Sequence, residues 1–121
     1  MPAARLLLVD DEPALLELLK TYLERLGYQV DARSDAKESI ALFESDPHRF
    51  ALVLTDLTLP GLNGEEMVTQ MRALNPKLLA IVSSGYPYEP RTKEIVFLQK
   101  PYVPKMLAET IEKLLKRAGS R

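Results

Sequence analysis

The sequence predicts an α/β fold, a parallel sheet with helices on both faces, and three observations carry that expectation. Short, continuously apolar runs such as Leu6-Leu7-Leu8-Val9 alternate with longer stretches of helical periodicity. Strand and helix alternating at this period imply right-handed crossovers between parallel strands. Three of the runs end on charge: Asp10-Asp11, Asp56, and Lys100 just before Pro101. Parallel strands bring their carboxyl ends to one edge, where ligands of such sheets sit, so residues 44 and 46 positions apart can share one pocket.

The elements follow in order. Arg5 to Val9 reads as a strand buried on both faces. Asp10-Asp11-Glu12-Pro13 starts a helix, with acids in its first turn and proline where a missing N–H costs least. Leu15, Leu16, Leu18, Leu19, Tyr22, Leu23 and Leu26 recur at helical spacing up to Gly27, and this stripe is assigned to the core. Tyr28 to Ala32 is a second strand; Ser34 or Asp35 caps a helix to about Ser45 that packs through Ile40, Leu42 and Phe43. Phe50 to Thr55 is the strand that delivers Asp56.

Leu57 to Gly64 reads as a loop, and Glu65 to Leu74 as a helix stopped by Asn75-Pro76. Leu78 to Val82 is a fourth strand running into Ser83-Ser84-Gly85, and Ile95 to Leu98 is a fifth. Pro104 to about Arg117 forms the last helix, with Met106, Leu107, Ile111, Leu114 and Leu115 inward. A single domain over 1–121, with its core at about 5–117, is expected from this order and length.

Composition narrows the function. With 46% apolar and 27% charged residues the chain is too hydrophobic to be disordered. A net charge of −1 gives no overall field for nucleic acid or an anionic membrane, so no direct nucleic-acid contact is expected. The absence of cysteine excludes disulfides, thiolate nucleophiles and cysteine-ligated zinc. No stretch is long enough for membrane insertion and the N-terminus is unlike a signal peptide, so a cytoplasmic location is expected. Three carboxylates and one ammonium sum to about −2 at neutral pH, a charge that one divalent cation such as Mg²⁺ neutralises.

The segments L-L-L-V-D-D-E-P, L-T-D-L-T-L-P-G-L-N-G, V-S-S-G-Y and F-L-Q-K-P-Y, in this order and nearly at the expected spacing, together resemble a response-regulator receiver domain of two-component signalling. The resemblance covers nearly the whole chain. It implies a flavodoxin-like, doubly wound five-stranded sheet of order 2-1-3-4-5. It also implies that Asp56 accepts a phosphoryl group from a histidine kinase or a histidine phosphotransfer protein, and that Asp10, Asp11, Asp56 and the backbone carbonyl of Thr58 hold Mg²⁺. Lys100 would meet a phosphoryl oxygen as a point charge and Ser84, with Ser83 as the alternative, would donate its hydroxyl to another. Phe97 would be the switch aromatic and Lys100–Pro101 a cis peptide. Slow self-dephosphorylation and output through a downstream protein or an attached effector domain complete the expectation. Partner choice would lie around Pro13 to Tyr22 and Tyr102-Val103-Pro104.

One departure stands out. Only sixteen positions separate Ser84 from Lys100, about two helical turns short of the family's usual distance. The intervening Tyr86 to Glu94 carries two prolines and no apolar stripe, so the fourth helix is expected to be shortened or absent. Tyr86 and Tyr88 are then expected to be partly buried in the loop that replaces it, and His48 to be an exposed turn residue. The functional alternatives are a phosphorylation-independent pseudo-receiver that binds partners through its surface, and a phosphatase of the haloacid-dehalogenase type. The latter needs a second aspartate two positions after the nucleophile, and Asp56-Leu57-Thr58 lacks it. The chain is read either as a free-standing receiver or as one cut from a larger protein such as a hybrid histidine kinase.

Overall fold

The computed structural model describes residues 4–92 and 94–119. Five parallel strands form the main sheet: β1 (Arg5–Val9), β2 (Gln29–Arg33), β3 (Leu52–Asp56), β4 (Leu79–Ser84) and β5 (Ile95–Gln99). Their spatial order is β2-β1-β3-β4-β5, the doubly wound order expected. Register is fixed by pairs such as Leu8↔Leu54, Leu54↔Ile81 and Ile81↔Val96. Among the described residues four α-helices cover the sheet: α1 (Pro13–Arg25), α2 (Ala36–Ser45), α3 (Gly64–Leu74) and α4 (Pro104–Gly119).

The pleat sorts the core into two halves. Leu7, Val9, Val53, Ala80 and Val82 point to the side of α2 and α3, where they meet Phe43, Met67, Val68 and Met71. Leu6, Leu8, Leu52, Leu54 and Ile81 point to the other side and meet Leu16, Leu19, Leu23, Leu107 and Ile111 from α1 and α4. Strands buried on both faces have no reason to alternate, which accounts for the unbroken apolar runs.

Several boundaries and orientations differ from the sequence expectation. The acids precede α1 instead of filling its first turn, because the Asp10 carboxylate turns back to accept the Glu12 amide at 2.9 Å and the helix opens at Pro13. Leu18 and Leu26, assigned to the core, are 54% and 55% exposed, and Met106 is 48% exposed. A helix on one face of a sheet buries only a stripe, and Leu16, Leu19 and Leu23 already fill it. Phe50 is buried against Phe43 but stands outside β3, after a 3₁₀ turn over Pro47–Arg49. β2, β4 and β5 each run at least one residue further than expected, to Arg33, Ser84 and Gln99. The loop after Asp56 contains a two-residue antiparallel ribbon, Thr58–Leu59 with Leu62–Asn63.

Between Ser84 and Ile95 no described residue is helical. Tyr88 is half-buried as expected, whereas Tyr86 is 54% exposed, since no helix is present to pack over it. His48 is exposed in the 3₁₀ turn that precedes β3, at the edge of the sheet away from Asp56.

Candidate functional site

Each candidate side chain is delivered by a strand end. Asp10 follows β1 and is 5% exposed; Asp56 closes β3. Lys100 follows β5, and its peptide bond to Pro101 is cis. Asp10, Asp11 and Asp56 each place a carboxylate oxygen within 4.8 Å of the other two. The Lys100 Nζ lies 2.8 Å from Asp10 Oδ2 and 3.4 Å from Asp56 Oδ2. It also reaches Glu12 Oε1 at 3.3 Å. Sequence reasoning missed Glu12, although its position directly after Asp10-Asp11 was a signal that it shares the same edge.

The electrostatics follow from this crowding. Burial raises the pKa of Asp56, Lys100 opposes that rise, and the neighbouring carboxylates of Asp10 and Asp11 add to it. Burial works against the charge on Lys100, but the hydrogen bond and charge of Asp10, followed by Asp56 and Glu12, outweigh it and raise the lysine pKa. Tyr102, two residues on, has its pKa pushed up to about 12, chiefly by burial and against the pull of Lys100. Its hydroxyl is buried beside Ser83.

Two adjacent serines tie the strand ends together. Ser83 sits beside Asp56 in the register, and its carbonyl accepts the Leu57 amide at 2.7 Å. Ser84 is the last residue of β4, and its carbonyl accepts the Lys100 amide at 2.8 Å. Both are buried, and the Ser84 hydroxyl oxygen accepts the Tyr86 amide at 3.1 Å. A hydroxyl that accepts from the backbone still has a proton to donate. Phe97 lies on β5 with its ring 6.2 Å from that of Tyr88. Thr58 is exposed in the ribbon, two positions beyond Asp56. The start of α3 closes the site from below: the Asn63 side chain caps it by accepting the Glu65 and Glu66 amides, and the Gly64 amide donates to the Leu57 carbonyl.

The three acids fit a hard divalent cation. Oxygens on opposite sides of an octahedral Mg²⁺ stand roughly 4 Å apart, so a triad already within 4.8 Å needs little rearrangement to ligate one ion. Among the described residues the ammonium at this site, that of Lys100, is hydrogen-bonded to Asp10, the most buried of the three acids, and negative charge remains in excess.

Comparison with known proteins places this geometry. The profile of the response regulator receiver domain matches residues 6–112. The regulatory protein VanRB of Enterococcus faecalis is 31% identical over 96% of the chain and 54% of its own length. The chain therefore spans about half the length of the curated relatives it matches. A CheY-like receiver domain protein from Methanospirillum hungatei superposes with a TM-score of 0.87 at 29% identity, covering 98% of each chain. The receiver domain of the hybrid histidine kinase CckA superposes at 0.84 and 28% identity, over 93% of this chain and 99% of that one. With its doubly wound sheet and an acidic triad beside a strand-end lysine, this chain belongs to the response regulator receiver domain family.

Proposed function

We propose that the chain is the phosphoacceptor module of a two-component phosphorelay and that Asp56 is the residue phosphorylated. The observation that carries this reading is the convergence of Asp10, Asp11, Asp56 and Lys100 on one strand edge. An Asp56 carboxylate oxygen forms the new O–P bond as the P–N bond of a phosphohistidine breaks, and the leaving imidazole nitrogen keeps the electron pair and takes a proton. Lys100, 3.4 Å from Asp56 Oδ2, is placed to meet a phosphoryl oxygen with fixed positive charge. Asp10 holds that ammonium in the pocket. The Ser84 hydroxyl is the donor assigned to a further oxygen. Asp10, Asp11 and Asp56, with the Thr58 carbonyl, would hold Mg²⁺, which would supply positive charge to neutralise the transferring group.

A histidine kinase or a histidine phosphotransfer protein is the proposed donor. The exposed apolar side chains of Leu18 on α1, of Val103 just before α4 and of Met106 in its first turn are suited to docking it. Output passes to a downstream protein or an attached effector domain, with no direct nucleic-acid contact, in the cytoplasm. Among the described residues no helix is long and apolar enough to cross a membrane. The test is intact mass after incubation with acetyl phosphate, with and without Mg²⁺, on wild type and Asp56→Asn. A Mg²⁺-dependent gain of one phosphoryl group, absent from the variant, supports the reading. A folded wild type that gains none from any donor would hand it to the pseudo-receiver alternative, which the missing fourth helix favours.

A further inference from the structure

The polar contacts that hold the segment replacing the fourth helix run to α3, most of them to one side chain. Glu65, in the first turn of α3, is 6% exposed. Its Oε1 accepts the Tyr88 hydroxyl, and its Oε2 accepts the Arg91 and Thr92 amides at 2.9 and 3.1 Å. Two turns further along the same face, Arg72 is ion-paired to Glu94. A cavity of about 220 Å³ lies between the two contacts, lined by Val68, Thr69, Arg72, Thr92 and Ile95 among others.

From Gly85 to Thr92 no residue is buried, and the half-buried Tyr88 is the segment's apolar anchor, packed against the core on the α2–α3 side and against the Phe97 ring. A chain segment with little buried apolar area and a few polar anchors opens at far lower cost than the core. A carboxylate accepting three hydrogen bonds is the strong member of such a set, since ionised acceptors make the stronger bonds. Although burial alone would raise it, these bonds hold the Glu65 pKa below the usual carboxylate range, so it is ionised at neutral pH.

We infer that Glu65 is the latch of a hinged strap, residues 85–92, which shields Phe97 when closed and exposes it when the Tyr88, Arg91 and Thr92 contacts are released. The strap's other end begins at the Asp56 site, where the Tyr86 amide rests on the Ser84 hydroxyl oxygen. Drawing that hydroxyl toward a group on Asp56 pulls the strap at its root while Glu65 holds it at its far end. Glu65 thus sets how readily an event at Asp56 is converted into an open surface. This second step rests on the phosphoacceptor reading above, whereas the latch itself does not.

The test is backbone amide hydrogen exchange by NMR on wild type, Glu65→Gln and Tyr88→Phe, each with and without beryllium trifluoride plus Mg²⁺ as a phosphoryl mimic. Both variants are expected to exchange faster at Arg91 and Thr92, Glu65→Gln by roughly ten- to hundredfold, with Leu52 to Leu54 unchanged. Tyr88→Phe removes one hydroxyl and keeps the ring, so it reports on the latch even if Glu65→Gln folds poorly. The mimic is expected to accelerate the same two amides in wild type. Unchanged exchange at Arg91 and Thr92 in both variants would overturn the latch. Bound mimic, seen by shifts at Asp56 and Lys100, with no acceleration in wild type would overturn the coupling. Failure of the mimic to bind would count against the phosphoacceptor reading and against the coupling built on it, leaving the latch to be judged by the two variants.

Discussion

Replacing the proposed nucleophile is expected to make the protein more stable when no divalent cation is present. In Asp56→Asn the side chain keeps its shape and loses its charge. At an effective dielectric of about 20, like charges no more than 4.8 Å apart repel by at least about 3.5 kcal/mol, and a unit pair at 3.4 Å attracts by about 5 kcal/mol. Asp56 has two such repulsive neighbours, Asp10 and Asp11, against one attractive partner, Lys100. Asp11 is exposed, so its share is screened, and the Coulomb balance comes close to zero. Burial of the Asp56 carboxylate then tips the sum against the charged form, which agrees with the upward direction of its pKa. Neutralising it is expected to stabilise the fold by about 1–2 kcal/mol. Urea unfolding at pH 7 in EDTA measures this as a higher midpoint at unchanged slope. Millimolar Mg²⁺ should reverse the ranking, because wild type gains binding free energy that the variant largely lacks. A variant clearly less stable than wild type in EDTA would refute the charge accounting.

Other consequences follow from the same geometry. Gly64→Ala would place a Cβ 2.2 Å from the Asp56 carbonyl oxygen, so α3 must move off the strand end; a loss of about 1–3 kcal/mol in urea unfolding is expected, with weaker Mg²⁺ binding. Asn63→Ala removes the acceptor of the Glu65 and Glu66 amides and should cost about 1 kcal/mol of stability by the same measurement. Lys100→Met leaves Asp10 buried beside Asp56 without its cation, and is expected to raise the Mg²⁺ dependence of stability while slowing phosphorylation by acetyl phosphate. Two pH effects run in opposite senses. The raised pKa of Asp56 makes its ionisation cost stability as pH rises from the ordinary aspartate value of 3.8 through the folded-state value, a slope that Asp56→Asn should remove in EDTA. The lowered pKa of Glu65 gives a contribution fully present above 4.5 and lost as pH falls through its folded-state value, which Glu65→Gln should remove.

Much of the fold was legible because it rests on apolar runs and periodicity. Strands buried on both faces write themselves as Leu6 to Val9 and Leu52 to Leu54, and the turns as Gly, Pro and Asn. Gly27, just past α1, adopts φ +103°, a conformation costly for other residues. The convergence of Asp10, Asp11, Asp56 and Lys100 was legible for the same reason, since strand ends of a parallel sheet share an edge. What escaped is what depends on three-dimensional partners. Nothing local in Leu18, Leu26 or Met106 distinguishes them from the leucines that face the sheet, so their exposure emerges only when the helices dock. Glu65 reads in sequence as an ordinary first-turn acid, and its role follows from a segment 23 to 27 residues away. Glu12 likewise becomes a partner of Lys100 only across 88 residues of chain.

The central claim is that Asp56 is the residue that takes the phosphoryl group, and the most direct test locates that group. Wild type is incubated with acetyl phosphate and Mg²⁺, reduced with borohydride, which converts an aspartyl phosphate to homoserine, and mapped by peptide mass spectrometry. Homoserine at position 56 alone, dependent on Mg²⁺, is the result predicted. Homoserine at Asp10 or Asp11 with position 56 untouched, or no homoserine at all from a folded protein that binds Mg²⁺, would contradict it.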